Sequence, residues 1–220
     1  MKSRAPSGVD FSRMGVSISM NPEWLEENGI PKDAVIALTV GNFIDRKGRW
    51  TLLDAARRII KTDGGRNIYF LWLSPMPMSE EDRIRVGSYQ LGARFKLIDP
   101  ATLGSGRTNV LRFFQVADIF VLPSFVEGLP ISLLEAMAFG IAPISTRVYG
   151  IPEAVEHEKT GLLIEAGDAE ALANSMIRLS DEPQLRQRIG ENARKIALSK
   201  FDERNVARDV VRAYLNAIDR

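Results

Sequence analysis

The chain of 220 residues has no cysteine and a single histidine, which excludes disulfides, thiolate metal sites, a thiol nucleophile and a histidine-rich metal site. Its 29 basic and 28 acidic side chains leave a net charge of +1, so bulk charge does not favour nucleic acid as a partner. The start "MKSRAPSGVD" lacks the apolar stretch of a signal peptide, and no window approaches the roughly 18 apolar residues of a membrane helix. We therefore expect a cytoplasmic protein that forms one large domain or half of a bilobed protein.

Short apolar runs alternate with helical patterns along most of the chain. The first thirty residues read as irregular and polar, with prolines and glycines as punctuation. Beyond them, continuous apolar runs predict strands buried on both faces, and apolar residues at helical spacing predict the intervening helices. The predicted strands are residues 34–41, 67–74, 94–99, 118–124, 141–147 and 160–165. The predicted helices are residues 49–61, 79–92, 109–117, 131–140, 168–181, 182–200 and 202–218.

This alternation predicts the fold class, an α/β domain with a doubly wound, parallel, six-stranded, Rossmann-like sheet. In such sheets ligands bind outside the carboxyl ends of the strands, at the point where the strand order reverses. The rule directs attention to the loops that follow Val40, Leu73, Ile98 and Leu122.

The loop after the first strand reads "VGNFIDRKG" and combines glycines with cations. Gly41 allows a tight backbone turn, and Gly48 closes the loop into the next helix. Arg46, Lys47 and Arg49 bring positive charge to the end of the strand, which suits a diphosphate. An ordinary solvated basic loop is an equally good interpretation of this segment alone.

The loop after the fourth strand reads "PSFVEGLPISLLEAMA" and leads into an apolar helix. Gly128 permits close approach of a ligand, and Pro130 suits the first helical turn. A helix N-terminus with free N–H groups is a site for anions, phosphate in particular. The N–H groups expected to face the crevice are those of Ile131, Ser132 and Leu133.

Two glutamates in this stretch lie eight positions apart. Glu135 lies about one turn into the helix, where a carboxylate would conflict with phosphate, so it must serve something else, and its two oxygens match the paired hydroxyls of a ribose. Its neighbours Leu133, Leu134, Ala136 and Met137 make this part of the helix apolar. Glu127, in the turn before the helix, could meet hydroxyls of a sugar beyond the diphosphate. The ordinary alternatives are an exposed glutamate that gains about 0.3–1 kcal/mol from the helix dipole, and a surface turn glutamate.

The stretch "PSFVEGLPISLLEAMAFGIAPISTRVYGIPEAVEHEKTGLLIEAGDAEALA" contains the spacing Glu127-x7-Glu135. It closely resembles the C-terminal domain of retaining, nucleotide-sugar-dependent glycosyltransferases of the GT-B fold, the glycosyl transferases group 1 or family four. The resemblance covers about residues 6–218. It includes "PSGVDFSRM", similar to the inter-domain segment of that family, "VGNFIDRKG", similar to its phosphate loop, and "ADIFVLPS". A lone E-x7-E would be weak evidence, but this much flanking pattern makes the resemblance specific.

The resemblance implies transfer of a hexose from a nucleoside diphosphate sugar to an acceptor hydroxyl with retained configuration, in polysaccharide or glycolipid synthesis. It implies two catalytic residues, Glu127 on the hydroxyls of the transferred sugar and Lys47 on the diphosphate. Glu135 would bind the ribose. The full set of implied donor-binding residues is Glu135, Lys47, Gly41, Asn42, Gly128, Leu129, Ile131 and Ser132. We expect no cofactor and no metal, since the chain has no Asp-x-Asp motif.

Three positions depart from the pattern of the family. Asn42 stands where arginine is usual, which removes a phosphate cation that Arg46 or Arg49 would have to replace. The sequence "SPMP" from Ser74 and the pair Asp99–Pro100 stand where glycines often follow the second and third strands. These loops usually border the base and phosphates, so the nucleobase stays open.

The resemblance also implies a domain organisation. Residues 1–33 would be a lead-in and inter-domain linker, residues 34–200 the nucleotide-sugar-binding domain, and residues 201–220 a helix that crosses to an N-terminal domain. That domain, with the acceptor site, is expected to be missing from this chain, which alone would be inactive; any membrane association would come from it. The expected partners are the nucleotide sugar, a carbohydrate or lipid-linked acceptor and that domain. His157 is expected to be a surface residue.

Other function classes remain open. A non-catalytic nucleotide-sugar-binding subunit would use the same residues, so only a turnover assay separates it. A related epimerase would need acid and base side chains at the sugar, commonly histidine. A Rossmann dehydrogenase would need Gly-x-Gly-x-x-Gly after the first strand, where the chain offers only Gly41 and Gly48. A pure interaction module leaves Glu135 unexplained.

Overall fold

The sheet has six parallel strands, as the sequence predicts. A computed structural model describes residues 8–11, 22–62, 67–104 and 106–208. The strands are β1 (Val35–Val40), β2 (Ile68–Leu73), β3 (Phe95–Ile98), β4 (Ile119–Leu122), β5 (Ala142–Thr146) and β6 (Leu162–Ile164). Their order is β3-β2-β1-β4-β5-β6, and every pairing is parallel. This is the doubly wound order of nucleotide-binding folds.

Helices cover both faces of the sheet. They are α1 (Pro22–Glu27), α2 (Arg49–Thr62), α3 (Glu80–Ser88), α4 (Thr108–Val116), α5 (Ile131–Phe139), α6 (Ile151–Ala154), α7 (Ala169–Asp181) and α8 (Pro183–Lys200). Short 3-10 helices occupy Asp45–Lys47, Gly92–Arg94 and Pro100–Leu103. Ser79 caps the start of α3, since its hydroxyl accepts from the N–H of Asp82 at 3.0 Å.

The core has two layers, one on each face of the sheet. Along β4, Phe120 and Leu122 belong to the layer under α4, α5 and α8, whereas Ile119 and Val121 belong to the layer under α2 and α7. All four are fully buried. A strand buried on both faces loses the polar alternation of an exposed strand, which is why continuous apolar runs predicted the strands correctly.

Three local predictions were wrong. Residues 22–27 form α1, although the first thirty residues read as irregular; Pro22 starts this helix because proline fits a first turn, and Trp24 packs edge-on against Phe113 at 5.2 Å. The helix predicted over 79–92 ends at Ser88, because Gln90 takes a left-handed φ of 57°. The short helix α6 was missed.

The described ends of the chain meet beside the domain. The N–H of Val9 donates to the carbonyl of Phe201 at 2.9 Å, and the N–H of Glu203 donates to the carbonyl of Val9 at 3.1 Å. Residues 203–208 are helical, and the rest of the helix predicted over 202–218 lies outside the described residues. Within the described part of the chain, no helix is both long and apolar enough to cross a membrane.

Candidate active site at the carboxyl edge of the sheet

The strand order reverses between β1 and β4, and the two loops that follow these strands meet there. Gly48 makes this contact possible: it takes a φ of 75°, and a Cβ at this position would overlap the carbonyl oxygen of Pro123. The N–H of Phe125 donates to the carbonyl of Arg46 at 2.9 Å, which ties the loops together. The sequence therefore places the two predicted functional loops side by side.

Lys47 and Glu127 form the centre of this junction. Lys47 Nζ lies 2.5 Å from Glu127 Oε1, which also accepts from the hydroxyl of Ser124 at 3.0 Å. Glu127 is only 8% exposed, so this is a largely desolvated ion pair. An ammonium has three donors, and one bond to Glu127 leaves Lys47 with capacity for an anion such as a diphosphate. Gly41, with a φ of 147°, lies directly under the Lys47 side chain.

The three cations of the first loop have different roles. Arg46 is half-exposed and donates to the carbonyl of Val126 at 3.0 Å. Arg49 turns away from the junction: it donates to Asp45 at 2.8 Å and to Asp82 at 2.7 Å, and it stacks over the ring of Trp50. The expectation that Arg49 serves phosphate is therefore wrong for this structure. Its side chain instead fixes the start of α2 against α3.

The N-terminus of α5 opens at the same junction. Within the described residues, the N–H groups of Ile131 and Ser132 have no acceptor, as expected for the first turn of a helix. The third expected donor is engaged, because the N–H of Leu133 donates to the carbonyl of Pro130 at 3.1 Å. Gly128 is exposed in the turn before the helix, and its carbonyl lies against Gly150. Two free donors at this end of α5 suit an anion.

Glu135 is buried in α5, with 4% of its surface exposed, which excludes the interpretation as an exposed-face glutamate. Its carboxylate is held by Arg107: Nε donates to Oε1 at 3.0 Å, and Nη2 donates to Oε2. Burial raises the pKa of the Glu135 carboxyl above its ordinary value, and the hydrogen bonds and charge of Arg107 oppose this effect.

Arg107 is a site residue that the sequence analysis missed. It lies in "GSGRTNV", a polar stretch just before α4, 28 positions before Glu135. Only the packing of α4 beside α5 brings the two side chains together. The available signal was a cation next to a predicted helix start, and this signal is common in loops.

The positions that depart from the family pattern have local structural roles. The hydroxyl of Ser74 accepts from the N–H groups of Phe43 and Met76, which braces the loops after β1 and β2. The carboxylate of Asp99 caps the following 3-10 helix through the N–H of Ala101 at 2.9 Å. Asn42 is exposed, with no side-chain bond among the described residues. His157 is partly exposed away from the site, where its Nδ1 accepts from the N–H of Leu163.

The comparisons agree with this architecture. The profile of the family Glycosyl transferases group 1 matches residues 20–196. The amylovoran biosynthesis glycosyltransferase AmsK of Erwinia amylovora is 33% identical over 149 residues, which are 65% of this chain and 35% of AmsK. The fold defines the class, a doubly wound, Rossmann-like α/β domain, and the match defines the family within that class: the chain belongs to the glycosyl transferases group 1 family.

Solved structures show the same fold. HepE of Anabaena, in complex with UDP and glucose, superposes with a TM-score of 0.78 at 19% identity, over 95% of this chain and 55% of that one. The C-terminal domain of a group 1 family protein, LpcC of Francisella tularensis, superposes with a TM-score of 0.70 at 20% identity, over 89% of this chain and 99% of that one. The chain thus has the fold of a C-terminal domain. It spans about half or less of the length of the first curated relatives that it matches: 35% of AmsK and 51% of LpsD, a lipopolysaccharide core biosynthesis glycosyltransferase of Rhizobium meliloti that is 28% identical over 86% of this chain.

Proposed function

We propose that this chain is the donor-binding half of a retaining glycosyltransferase that transfers a hexose from a nucleoside diphosphate sugar to an acceptor hydroxyl, in polysaccharide or glycolipid synthesis. Lys47 and the first turn of α5 would bind the diphosphate, Glu135 the ribose, and Glu127 the hydroxyls of the sugar. Gly41, Asn42, Gly128, Leu129, Ile131 and Ser132 would complete the donor site.

One observation carries the proposal. The ion pair between Lys47 and Glu127, at 2.5 Å, lies at the reversal of strand order, where doubly wound sheets bind ligands. A plain structural bridge would not need to be next to a helix N-terminus with the free donors of Ile131 and Ser132. The names of relatives support the class of reaction, since AmsK is called a biosynthetic glycosyltransferase and HepE was solved with UDP and glucose.

In the proposed reaction, the bond between the anomeric carbon and the diphosphate oxygen breaks, the acceptor oxygen forms the new bond to that carbon, and the proton of the acceptor hydroxyl passes to the leaving diphosphate. The leaving diphosphate carries the growing negative charge. Lys47 and the N–H groups at the start of α5 stabilise that charge by preorganised electrostatics. We propose that no metal is required, because Lys47 and these N–H groups would stabilise the charge of the leaving diphosphate in its place.

The chain would act together with a second domain that supplies the acceptor site and part of the sugar site. The relatives support this part of the proposal, since the matched region is 35% of the length of one and 51% of the length of the other. We propose that the chain alone binds the donor without turning it over. Any membrane association of the whole enzyme would come from that second domain.

The experiment is a calorimetric titration with UDP, GDP and ADP, with and without EDTA. We expect binding of one of them, unchanged by EDTA. Glu135→Ala should weaken that binding by about 1–3 kcal/mol, because the ribose hydroxyls lose their partner. The matched control is Glu191→Ala, which removes an exposed glutamate from α8. No binding of any diphosphate, or equal affinity in the Glu135→Ala variant, would contradict the proposal.

A further inference from the structure

The carboxylate of Glu135 is covered in this structure. Its side chain is 5% exposed, whereas the side chain of Arg107 is 43% exposed. A partner that is far more exposed than the group it binds lies on the solvent side of that group. Among the described residues, Arg107 is also the one side chain that donates to Glu135.

A ribose would need the same two oxygens. Two neighbouring ribose hydroxyls bind a carboxylate as a pair, one hydroxyl to each oxygen. Both oxygens of Glu135 already accept from Arg107, through a fork of two parallel N–H groups of the guanidinium. Only 5% of the Glu135 side chain is exposed, so little room is left for a second partner beside Arg107. A ribose therefore cannot reach Glu135 while Arg107 stays in place.

Arg107 borders the solvent, since 43% of its side chain is exposed. The guanidinium is already partly solvated, so release into water costs it less than release from a buried pair would.

We propose that Arg107 occupies the place of the ribose in the empty site and is displaced when a nucleotide binds. This inference rests on the proposed role of Glu135. Arg107 then lowers the affinity of the protein for every ribonucleotide, because part of the binding energy is used to break the fork. It is a residue that sets donor affinity by acting on Glu135.

The test compares UDP with 2′,3′-dideoxy-UDP, which lacks both hydroxyls; if the protein prefers GDP or ADP, that nucleotide and its dideoxy form replace them. The titrations are run at pH 7 and at pH 8.5, so that a change in the protonation of Glu135 is detected as a pH dependence of the affinity. We expect Arg107→Met to bind UDP roughly tenfold more tightly than the native protein, with the dideoxy ligand unchanged. Arg107→Lys cannot form the two parallel hydrogen bonds of the fork, so its affinity for UDP should lie between those of the native protein and Arg107→Met.

The contradicting results are distinct. Weaker binding of UDP by Arg107→Met would mean that Arg107 supports Glu135 and does not cover it. Equal shifts for UDP and the dideoxy ligand would mean that Arg107 acts on the diphosphate. Equal affinity of the Arg107→Met variant for both ligands would overturn the ribose role of Glu135, and the inference with it.

A second measurement keeps the inference testable if the variant does not fold. In the native protein, the Nε–H signal of Arg107 in nitrogen-15 spectra should shift to that of a solvated guanidinium at saturating UDP. The matched control is Arg204, which makes the same kind of fork with Asp202, two bonds of 3.0 Å, far along the chain. If the Nε–H signal of Arg107 kept its position at saturating UDP, the hydrogen bonds to Glu135 would still be present, and this result would overturn the inference.

Discussion

The two buried glutamates of the site are both paired with a cation, but they are held in different ways. Glu127 accepts from Lys47 and from Ser124, and its loop is tied to the loop of Lys47 through backbone contacts. Glu135 is held by one guanidinium at the end of a glycine-containing stretch. The difference teaches that Glu127 is held in place by two partners from joined loops, whereas Glu135 has one partner, which we propose is displaced by the ligand.

The largest expected effect comes from disrupting the contact between the loops after β1 and β4 at Gly48. Gly48→Ala places a methyl group against the carbonyl of Pro123 at a φ of 75°. Overlap with backbone and left-handed strain together should lower the free energy of unfolding by about 3 kcal/mol or more. Urea unfolding measures this effect.

The matched control is Gly29→Ala, at a φ of 66° with nothing within 4 Å of the new methyl group. It adds the same strain without the overlap, so we expect a loss of about 1–2 kcal/mol. Equal losses in the two variants would show that the contact of the two loops does not constrain the backbone.

A smaller effect is expected at the ion pair between Lys47 and Glu127. Lys47→Met removes the cation from the diphosphate, and it should weaken binding of UDP by about 2 kcal/mol while leaving uridine unchanged. Calorimetry with the two ligands separates the diphosphate from the nucleoside. Lys195→Met, an exposed lysine of α8, is the control. If uridine and UDP weakened together, Lys47 would act through the structure of the loop and not on the diphosphate.

The smallest expected effect is the pH dependence of stability that arises from Glu135, the carboxylate of the Arg107–Glu135 pair. Burial raises the pKa of Glu135 above its ordinary value of 4.5, so the folded protein holds this proton more tightly than the unfolded chain. The stability from this group is complete below pH 4.5 and is lost as the pH rises through the folded pKa. The native protein should therefore lose stability relative to Glu135→Gln between pH 4.5 and 8, measured by urea unfolding. A relative gain over this interval would mean that the charge of Arg107 outweighs burial.

The fold could be predicted from the sequence because burial on both faces makes each strand a continuous apolar run, as in "DIFVLPS". The meeting of Lys47 with Glu127 was also within reach, since β1 and β4 are neighbours at the reversal of strand order. Their roles in binding and catalysis stay predictions.

The remaining features depend on packing that leaves no local pattern. Arg107 reaches Glu135 because α4 lies beside α5, and no spacing in the sequence encodes that contact. Arg49 is drawn away by Asp82, which lies on a different helix, so a cation in the right loop does not imply a cation in the site. The helix α1 is short, and Trp24 anchors it through a tertiary contact with Phe113.

The most direct test of the account is a crystal structure of the protein with whichever of UDP, GDP and ADP binds it most tightly. The account predicts the ribose hydroxyls on Glu135 and the diphosphate between Lys47 and the first turn of α5. A nucleotide elsewhere would contradict it, for example in the cavity of about 500 Å³ lined by Phe114, Phe139 and Arg186.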